Sequence, residues 1–576
     1  MWPISKLFKR ITFFLFTTII LFVSCKTSID ENLEEQEEQS SETTEEQTTP
    51  QESTQTEEEP NTLTFTLQPT VTVVSINQSA VLTCAAECGK NPVTYQWYTT
   101  SDGTTEKGIA VTDTDGTGAQ TNSFTTTTFT EKEIRYYYCV ATSKISDTET
   151  QTVTSNVIAA AYTGLPIIRL NTDCLTSEIT KDEYIQGDIE ILSDDYNFEK
   201  YTFTKKKEGV KGRGNSSWGM PKKSYNIKFS TAQSLFNLPE SKKWALIANY
   251  SDKSLLRNKI ASLLGTEIFN NEWNPHFVNV DLIMNDEYLG NYTLCEKNTI
   301  GNGRIDIQDI SDIEKNITNG NTTAIEDANG DGILDLNDGG FVVEIDPIGR
   351  ISADDIYVTG DISGKHFVLK DPDNISDAVK EKVNSIIQIT EEALYGEDFE
   401  DSEIGWRKYI DEESVIDWYF ANEFTKNNDA IFFSSVYLYY NPADSKIHLG
   451  PNWDFDISCG NINYNGCDNA SGWWIRNAAW ISRLFQDPLF ISNLKNRWNE
   501  KKSELSTFIY SDIQTLANEN ATSAQVNFLR WQILGTYVWP NPAGYDKRTT
   551  YQSEIDYLKT WLYARFFWLD NAINAL

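Results

Sequence analysis

Asn422-Glu423-Phe424-Thr425-Lys426-Asn427-Asn428-Asp429, the apolar runs Ile431 to Tyr440 and Lys446 to Leu449, and Gly450-Pro451-Asn452-Trp453-Asp454-Phe455-Asp456 follow one another along the chain. Asn441-Pro442-Ala443-Asp444-Ser445 between the two runs is a turn, so the runs predict a hairpin. The order is an acidic residue at a helix end, a hairpin, and then Asp-Phe-Asp. One carboxylate would accept or orient a hydroxyl proton, and the other would hold a divalent cation. The competing reading is a turn-rich hairpin whose aspartates only cap backbone amides.

Upstream lies Lys211-Gly212-Arg213-Gly214-Asn215-Ser216-Ser217-Trp218, then Pro221-Lys222-Lys223-Ser224-Tyr225-Asn226-Ile227-Lys228-Phe229. Glycines and small polar residues let a backbone approach an anion closely. Arg213 and Asn215 are candidates to hold it. The alternating strand that follows would bring Lys222, Lys223 or Lys228 near the same anion, although an exposed strand lysine is common. The chain has only three histidines, His276, His366 and His448, which speaks against a multi-His zinc site or a His-based hydrolase. Acidic, basic and amide chemistry remains, the set used in metal-dependent phosphoryl transfer. Protein kinases place a strand lysine, a catalytic Asp, a hairpin and a metal-binding Asp in this order.

Several collinear blocks resemble the CotH (spore-coat protein H) family of atypical protein kinases. They are Lys211 to Trp218 with Lys222 to Phe229, Trp244 to Asp252 with Leu256-Arg257-Asn258, Val280 to Tyr292 running to Glu296, Gly339 to Asp346, and the two segments quoted first. The resemblance spans about residues 165–570. It implies an atypical kinase fold, ATP with Mg²⁺ or Mn²⁺, and phosphorylation of protein Ser or Thr. It assigns Asp429 as the catalytic Asp, Asp454 as metal ligand with Asp456 as competitor, and Lys228 as the phosphate lysine with Lys222 and Lys223 as competitors. Glu296 would pair with a lysine or the metal, and Arg257 and Asn258 would tie a helix to the sheet. Two features depart from the pattern. Ser434 stands five residues after Asp429, where ordinary kinases have a metal-binding Asn, and residues 298–338 are an insertion.

That insertion has its own signal. Asp327-Ala328-Asn329-Gly330-Asp331-Gly332-Ile333-Leu334-Asp335-Leu336-Asn337-Asp338 sets side-chain oxygens at loop positions 1, 3, 5, 9 and 12, with Gly at 6 and an aliphatic at 8. This is the spacing of an EF-hand-type calcium loop, with the Ile333 carbonyl at position 7 and Asp in place of Glu at 12. A stabilising Ca²⁺ is expected there.

The N-terminus reads as a processing signal. Lys6, Lys9 and Arg10 precede the apolar run Ile11 to Val23, and Leu21-Phe22-Val23-Ser24-Cys25 resembles a relaxed bacterial lipobox. Residues 1–25 are expected to be a lipoprotein signal, with Cys25 acylated. Residues 26–62, nearly all Glu, Gln, Thr and Ser, are expected to be a disordered acidic stalk. The product would be an exported lipoprotein at the cell surface or in the periplasm, touching the membrane through its lipid. A formal net charge of −36 argues against a nucleic-acid partner.

Residues 63–162 show strand alternation and the order Cys84, Trp97, Cys139, with Tyr137 two residues before the second cysteine. That order is similar to an immunoglobulin-like sandwich with a Cys84–Cys139 disulfide. A second disulfide, Cys459–Cys467, is allowed by distance along the chain. The expected fold is thus multidomain, an all-β immunoglobulin-like sandwich followed by a large α+β kinase-like domain over 165–576, with amphipathic helices expected over 376–395, 413–427, 479–500 and 551–574. Two functions compete: a surface kinase acting on exported or surface proteins, and a surface adhesion protein using the same fold without catalysis. A glycan-active surface protein, suggested by the calcium loop alone, is weaker.

Overall fold

Alternating apolar residues build the N-terminal region. In the strand Glu133–Lys144, Tyr137, Cys139 and Ala141 point inward, and Trp97 of Val93–Thr100 lies opposite Cys139. The structure, a computed structural model, describes residues 62–196 and 199–576. The expected signal segment with Cys25, and the stalk up to residue 61, lie outside the described residues. A six-stranded sheet (with Ile158–Tyr162 and Glu133–Lys144 at its centre) faces a three-stranded sheet of Val81–Thr83, Ser123–Thr126 and Gly116–Thr117. Trp97, Phe124 and Tyr137 fill the space between them, with Trp97 fully buried. Cys84 and Cys139 meet in this core as free thiols, the Cys139 thiol donating to Cys84. That contact pushes the Cys84 thiol down and the Cys139 thiol up.

The chain then enters a closed seven-stranded barrel made by Ile167–Thr172, Ile185–Tyr196, Glu199–Arg213, Ser224–Gln233, Ser241–Ile247, Val278–Met284 and Glu287–Glu296. Closure comes from parallel pairing of the first of these strands with Val278–Met284; the other neighbours are antiparallel. Closing a sheet on itself removes its edges. Tyr225, Ile227 and Phe229 face the barrel core with Trp244 and Leu246, which leaves Ser224, Asn226 and Lys228 on the outer face.

A second sheet follows, with spatial order Tyr357–Thr359, His366–Asp371, Phe341–Ile345, Val436–Asn441 and Lys446–Leu449. Its last two strands are the expected hairpin, with Leu438 opposite Leu449. Helices Asp377–Tyr395, Glu412–Thr425 and Tyr551–Asn574 match the sequence pattern closely. The run 479–500, expected as one helix, is two: Ala479–Leu484, and Pro488–Thr507 capped by Asp487. Pro488 takes a first-turn position, where its missing N–H costs nothing.

Two buried ion pairs lock the helices to the rest. Arg565 reaches Glu423 at 2.5 Å with both side chains fully buried, and its guanidinium also donates to the carbonyls of Ala470 and Gly472. Arg257 meets Asp252 at 2.5 Å. The N-terminal sandwich is packed against the barrel rather than hung from it. Val73, Ala161, Ile167, Ile283, Tyr288 and Val526 share one apolar cluster. Beside it, buried Asp281 accepts from Thr163, Tyr288 and Ser523.

Candidate functional site

The barrel's outer face, the second sheet and the Gly450–Asp456 loop enclose a cleft of about 830 Å³, within the range of small-molecule sites. Each side chain in it is fixed by a local reason. Helix Glu412–Thr425 ends at Lys426 in the left-handed region, φ 49°. The Lys426 ammonium donates to the carbonyls of Gly466, Asn469 and Ser471 at 2.8–2.9 Å. The chain therefore turns sharply and delivers Asn428 and Asp429 to the cleft. Asn428 donates to the Asp429 carboxylate at 2.7 Å, and Arg350 lies 3.5 Å from its other oxygen.

The Asp454 loop is held almost entirely by amides. The Asn452 backbone amide donates to Asn274 at 2.6 Å, Asn422 donates to the Asn452 side-chain oxygen at 3.0 Å, and the Phe455 amide donates to Asn258 at 2.8 Å. Arg257 adds donors to the Ser458 and Cys459 carbonyls. Arg257 and Asn258 thus anchor this loop, a more specific task than tying a helix to the sheet. Asp454 takes a positive φ of 62° and is exposed in the cleft. Burial pushes the Asp454 and Asp456 carboxyls up. For Asp456 the nearby negative charges of Asp454, Asp252 and Asp429 add to the effect.

The opposite wall is cationic. Arg213, Lys211, Lys222, Lys297 and Lys370 line the cleft together with Asn215. Burial, followed by repulsion from Arg213 and Lys243, pushes Lys297 down to about 8. Lys370 pairs with Glu344 at 2.9 Å, and Glu344 also accepts from Tyr437 at 3.1 Å. Asp346 accepts from Ser434 at 2.6 Å; burial, with the charge of Glu344, raises its carboxyl to about 6. Ser434, standing where a metal-binding Asn was missed, serves this carboxylate and Arg350.

The structure brings together Asp429, Asp454, Asp456, Arg213, Asn215 and Lys222 among the residues expected from sequence. It does not bring in Lys228, Lys223 or Glu296. Lys228 is exposed beyond the cleft, 5.7 Å from the Tyr184 ring. It shares a face with Asn226 but lies one residue pair too far along the strand. Lys223 donates to the Trp218 carbonyl at 2.5 Å. Glu296 is fully buried and accepts from the His276 amide and ring at 2.9 and 3.0 Å. Lys222 lines the cleft, but its ammonium is spent on the Asn291 carbonyl and Asn527. Sequence reasoning missed Lys297, Lys370, Glu344, Asp346 and Arg350. The alternation in Phe341-Val342-Val343-Glu344-Ile345-Asp346 was the available signal for two of them, since Glu344 and Asp346 share a face opposite Val343 and Ile345.

Among the described residues no group of three or more His, Cys, Asp or Glu side chains is placed to hold a metal ion. Asp454 and Asp456 are still a donor set that fits Mg²⁺, which takes one or two carboxylates and completes its shell with water and phosphate oxygens. In the 327–338 loop the oxygens turn onto backbone amides: Asp327 accepts from Gly332, Asp331 from Ile333, and Asp338 from Ala328 and Asp335. All seven described cysteines are free thiols. Cys459 and Cys467 sit apart in their bonding, the first accepting from Ser458 and the second against the Asn465 carbonyl, so the expected local disulfide is not formed.

If Lys297 carries the cationic pole, Lys297→Ala will weaken binding of inorganic tripolyphosphate about tenfold. Lys228→Ala will leave it within about twofold. Isothermal titration measures both, and equal losses in the two variants would contradict the assignment.

Comparison with solved structures gives partial likenesses. A structure giving the structural basis for Dscam isoform specificity matches at 11% identity, covering 28% of this chain and 40% of that one, with TM-score 0.14. The titin domains z1z2 in complex with telethonin match at 12% identity, covering 30% of this chain and 91% of that one, with TM-score 0.13. The titin Ig tandem A164-A165 matches at 7% identity over 29% and 89%, with TM-score 0.11. The match to the first of these spans less than half of its length. No curated protein matches the chain. The family model described as CotH kinase protein matches residues 210–569, which include the cationic wall, the Asp429 turn and the Asp454 loop, and this chain belongs to that family.

Proposed function

We propose that this chain is a protein kinase that transfers the γ-phosphoryl group of ATP to Ser or Thr of exported or surface proteins. The observation that carries this reading is one cleft lined by Arg213, Lys297 and Lys370 on one wall and by Asp429, Asp454 and Asp456 on the other. Burial, then the neighbouring cations Arg213 and Lys243, pushes Lys297 down, and a polyphosphate bound there would relieve that repulsion. Burial, then the neighbouring carboxylates Asp454, Asp252 and Asp429, pushes Asp456 up, and a divalent cation bound there would relieve that repulsion. A metal-bound nucleoside triphosphate satisfies both at once.

In this reading Arg213, Lys297 and Lys370 hold the phosphates, and Asp454 with Asp456 would hold Mg²⁺ or Mn²⁺. When bound, the metal neutralises charge on the transferring phosphoryl group. Asp429 orients the acceptor hydroxyl and takes its proton, with Asn428 and Arg350 fixing the carboxylate. Residues 165–576 would then be a kinase-like α+β domain, and 63–162 an immunoglobulin-like module docked on it. Export, Cys25 lipidation and the acidic stalk would place the enzyme on a membrane surface.

The test is the full chain with ATP, Mg²⁺ or Mn²⁺, and surface-protein extracts. Phosphate transfer should appear and fall at least 100-fold in both Asp429→Asn and Asp454→Asn. Nucleotide binding without transfer would favour the adhesion protein, and neither would remove the kinase reading.

We also propose Ca²⁺ at Asp327, Asn329, Asp331, the Ile333 carbonyl, Asp335 and Asp338, in a stabilising role. Gly330 and Gly332 take the positive φ values of 71° and 81° that the loop's turn requires. Excess Ca²⁺ should raise the melting temperature of the wild type, about 2.7 kcal/mol of stabilisation at one hundred times Kd. It should leave Asp327→Asn unmoved. A wild-type melting curve indifferent to Ca²⁺ would overturn this proposal.

A further inference from the structure

In phosphoryl transfer the acceptor oxygen approaches in line, opposite the leaving oxygen. On the kinase reading, on which this inference rests, the cationic wall therefore marks the nucleotide side of the cleft and Asp429 the acceptor side. Around Asp429 the cleft also carries solvent-exposed aromatic rings. The Phe433 amide donates to the Asp429 carbonyl at 3.1 Å, and its ring is 44% exposed with the Arg350 guanidinium 5.2 Å above it.

Tyr464 also lies beside Asp429. Burial, then the charges of Asp429 and Asp456, raises its phenol to about 12. Its ring stacks on Trp539 at 6.2 Å and 16°, and Trp539 is 45% exposed. All three aromatics line the cleft. Exposed rings grouped in one cleft and rimmed by polar groups are the kind of apolar surface that marks a contact site. Rings already fixed by stacking lose little freedom when a partner docks.

We propose that Phe433 and the Tyr464–Trp539 stack form an acceptor subsite that selects protein segments with a large apolar or aromatic side chain beside the Ser or Thr receiving phosphate. The subsite reads the neighbour while Asp429 takes the hydroxyl, because Phe433 is tied to the Asp429 backbone and the two are displaced together. Adenine, the other planar group in the reaction, belongs at the far end of the triphosphate chain.

The test uses the full chain, ATP and Mg²⁺, with Ser peptides that differ only in having Phe or Ala at each position flanking the Ser. Wild type should favour at least one Phe peptide about tenfold in kcat/KM. Trp539→Ala and Phe433→Ala should each remove most of that preference, through peptide KM, while KM for ATP stays within twofold. Transfer to all peptides without discrimination would overturn the subsite and leave the kinase reading standing. A rise in ATP KM with peptide KM unchanged would seat the base on the aromatic rim instead. No transfer to any peptide, together with no nucleotide binding, would remove both the subsite and the reading beneath it.

Discussion

Holding Asp429, Asp454 and Asp456 in one cleft works against their mutual repulsion, and the Asp454 loop is held there mainly by groups that carry no charge. Asp429 has the Arg350 guanidinium beside it at 3.5 Å, and the groups that hold the Asp454 loop are mainly side-chain amides. Asn258, Asn274, Asn422 and Asn452 fix the Asp454 loop, and Asn428 fixes Asp429. Lysines or arginines in those places would also bind the loop, but they would neutralise the carboxylates and compete with a cation. The guanidinium that holds the Asp454 loop, Arg257, is already paired with Asp252 in the interior. Its charge is spent before it reaches the loop.

The larger fold supplies stiffness for that arrangement. The closed barrel presents the Ser224–Asn226 face as a wall with no free edge, and the second sheet supplies Glu344, Asp346 and Lys370 from neighbouring strands. The Arg565–Glu423 pair ties the last helix to the helix that delivers Asp429. A buried pair of this kind is costly to break, since removing one partner strands the other charge in the interior. The N-terminal sandwich joins the same body through Asp281 and the apolar cluster beside it. It is a docked module and not a loose spacer.

Much of this was legible in the sequence. The hairpin followed from a Pro-Ala-Asp turn between apolar runs, and the helix Tyr551–Asn574 from its period. Asp429, Asp454 and Asp456 were found because they flank that hairpin. The phosphate lysine was not. Period-two alternation placed Lys228 on the correct face, but how far a strand runs before it leaves the cleft depends on barrel curvature, which no local pattern encodes. Lys297, just past the strand Glu287–Glu296, and Lys370, on the strand His366–Asp371, are far apart in sequence and meet only in the folded chain. Lys222 and Glu296 were plausible by charge, yet both are buried and claimed by other partners. The break at Asp487-Pro488 was readable from cap chemistry and was overridden by the apolar period across it.

The central claim is that two opposed charge poles are satisfied together by a metal-bound triphosphate. The most direct measurement is ATP affinity with and without Mg²⁺ in wild type and Asp454→Asn, by titration calorimetry at fixed ionic strength. Mg²⁺ should tighten ATP binding by about tenfold or more in wild type and have little effect in the variant. Equal ATP affinity with and without Mg²⁺ in wild type, or an undiminished Mg²⁺ effect in Asp454→Asn, would contradict it.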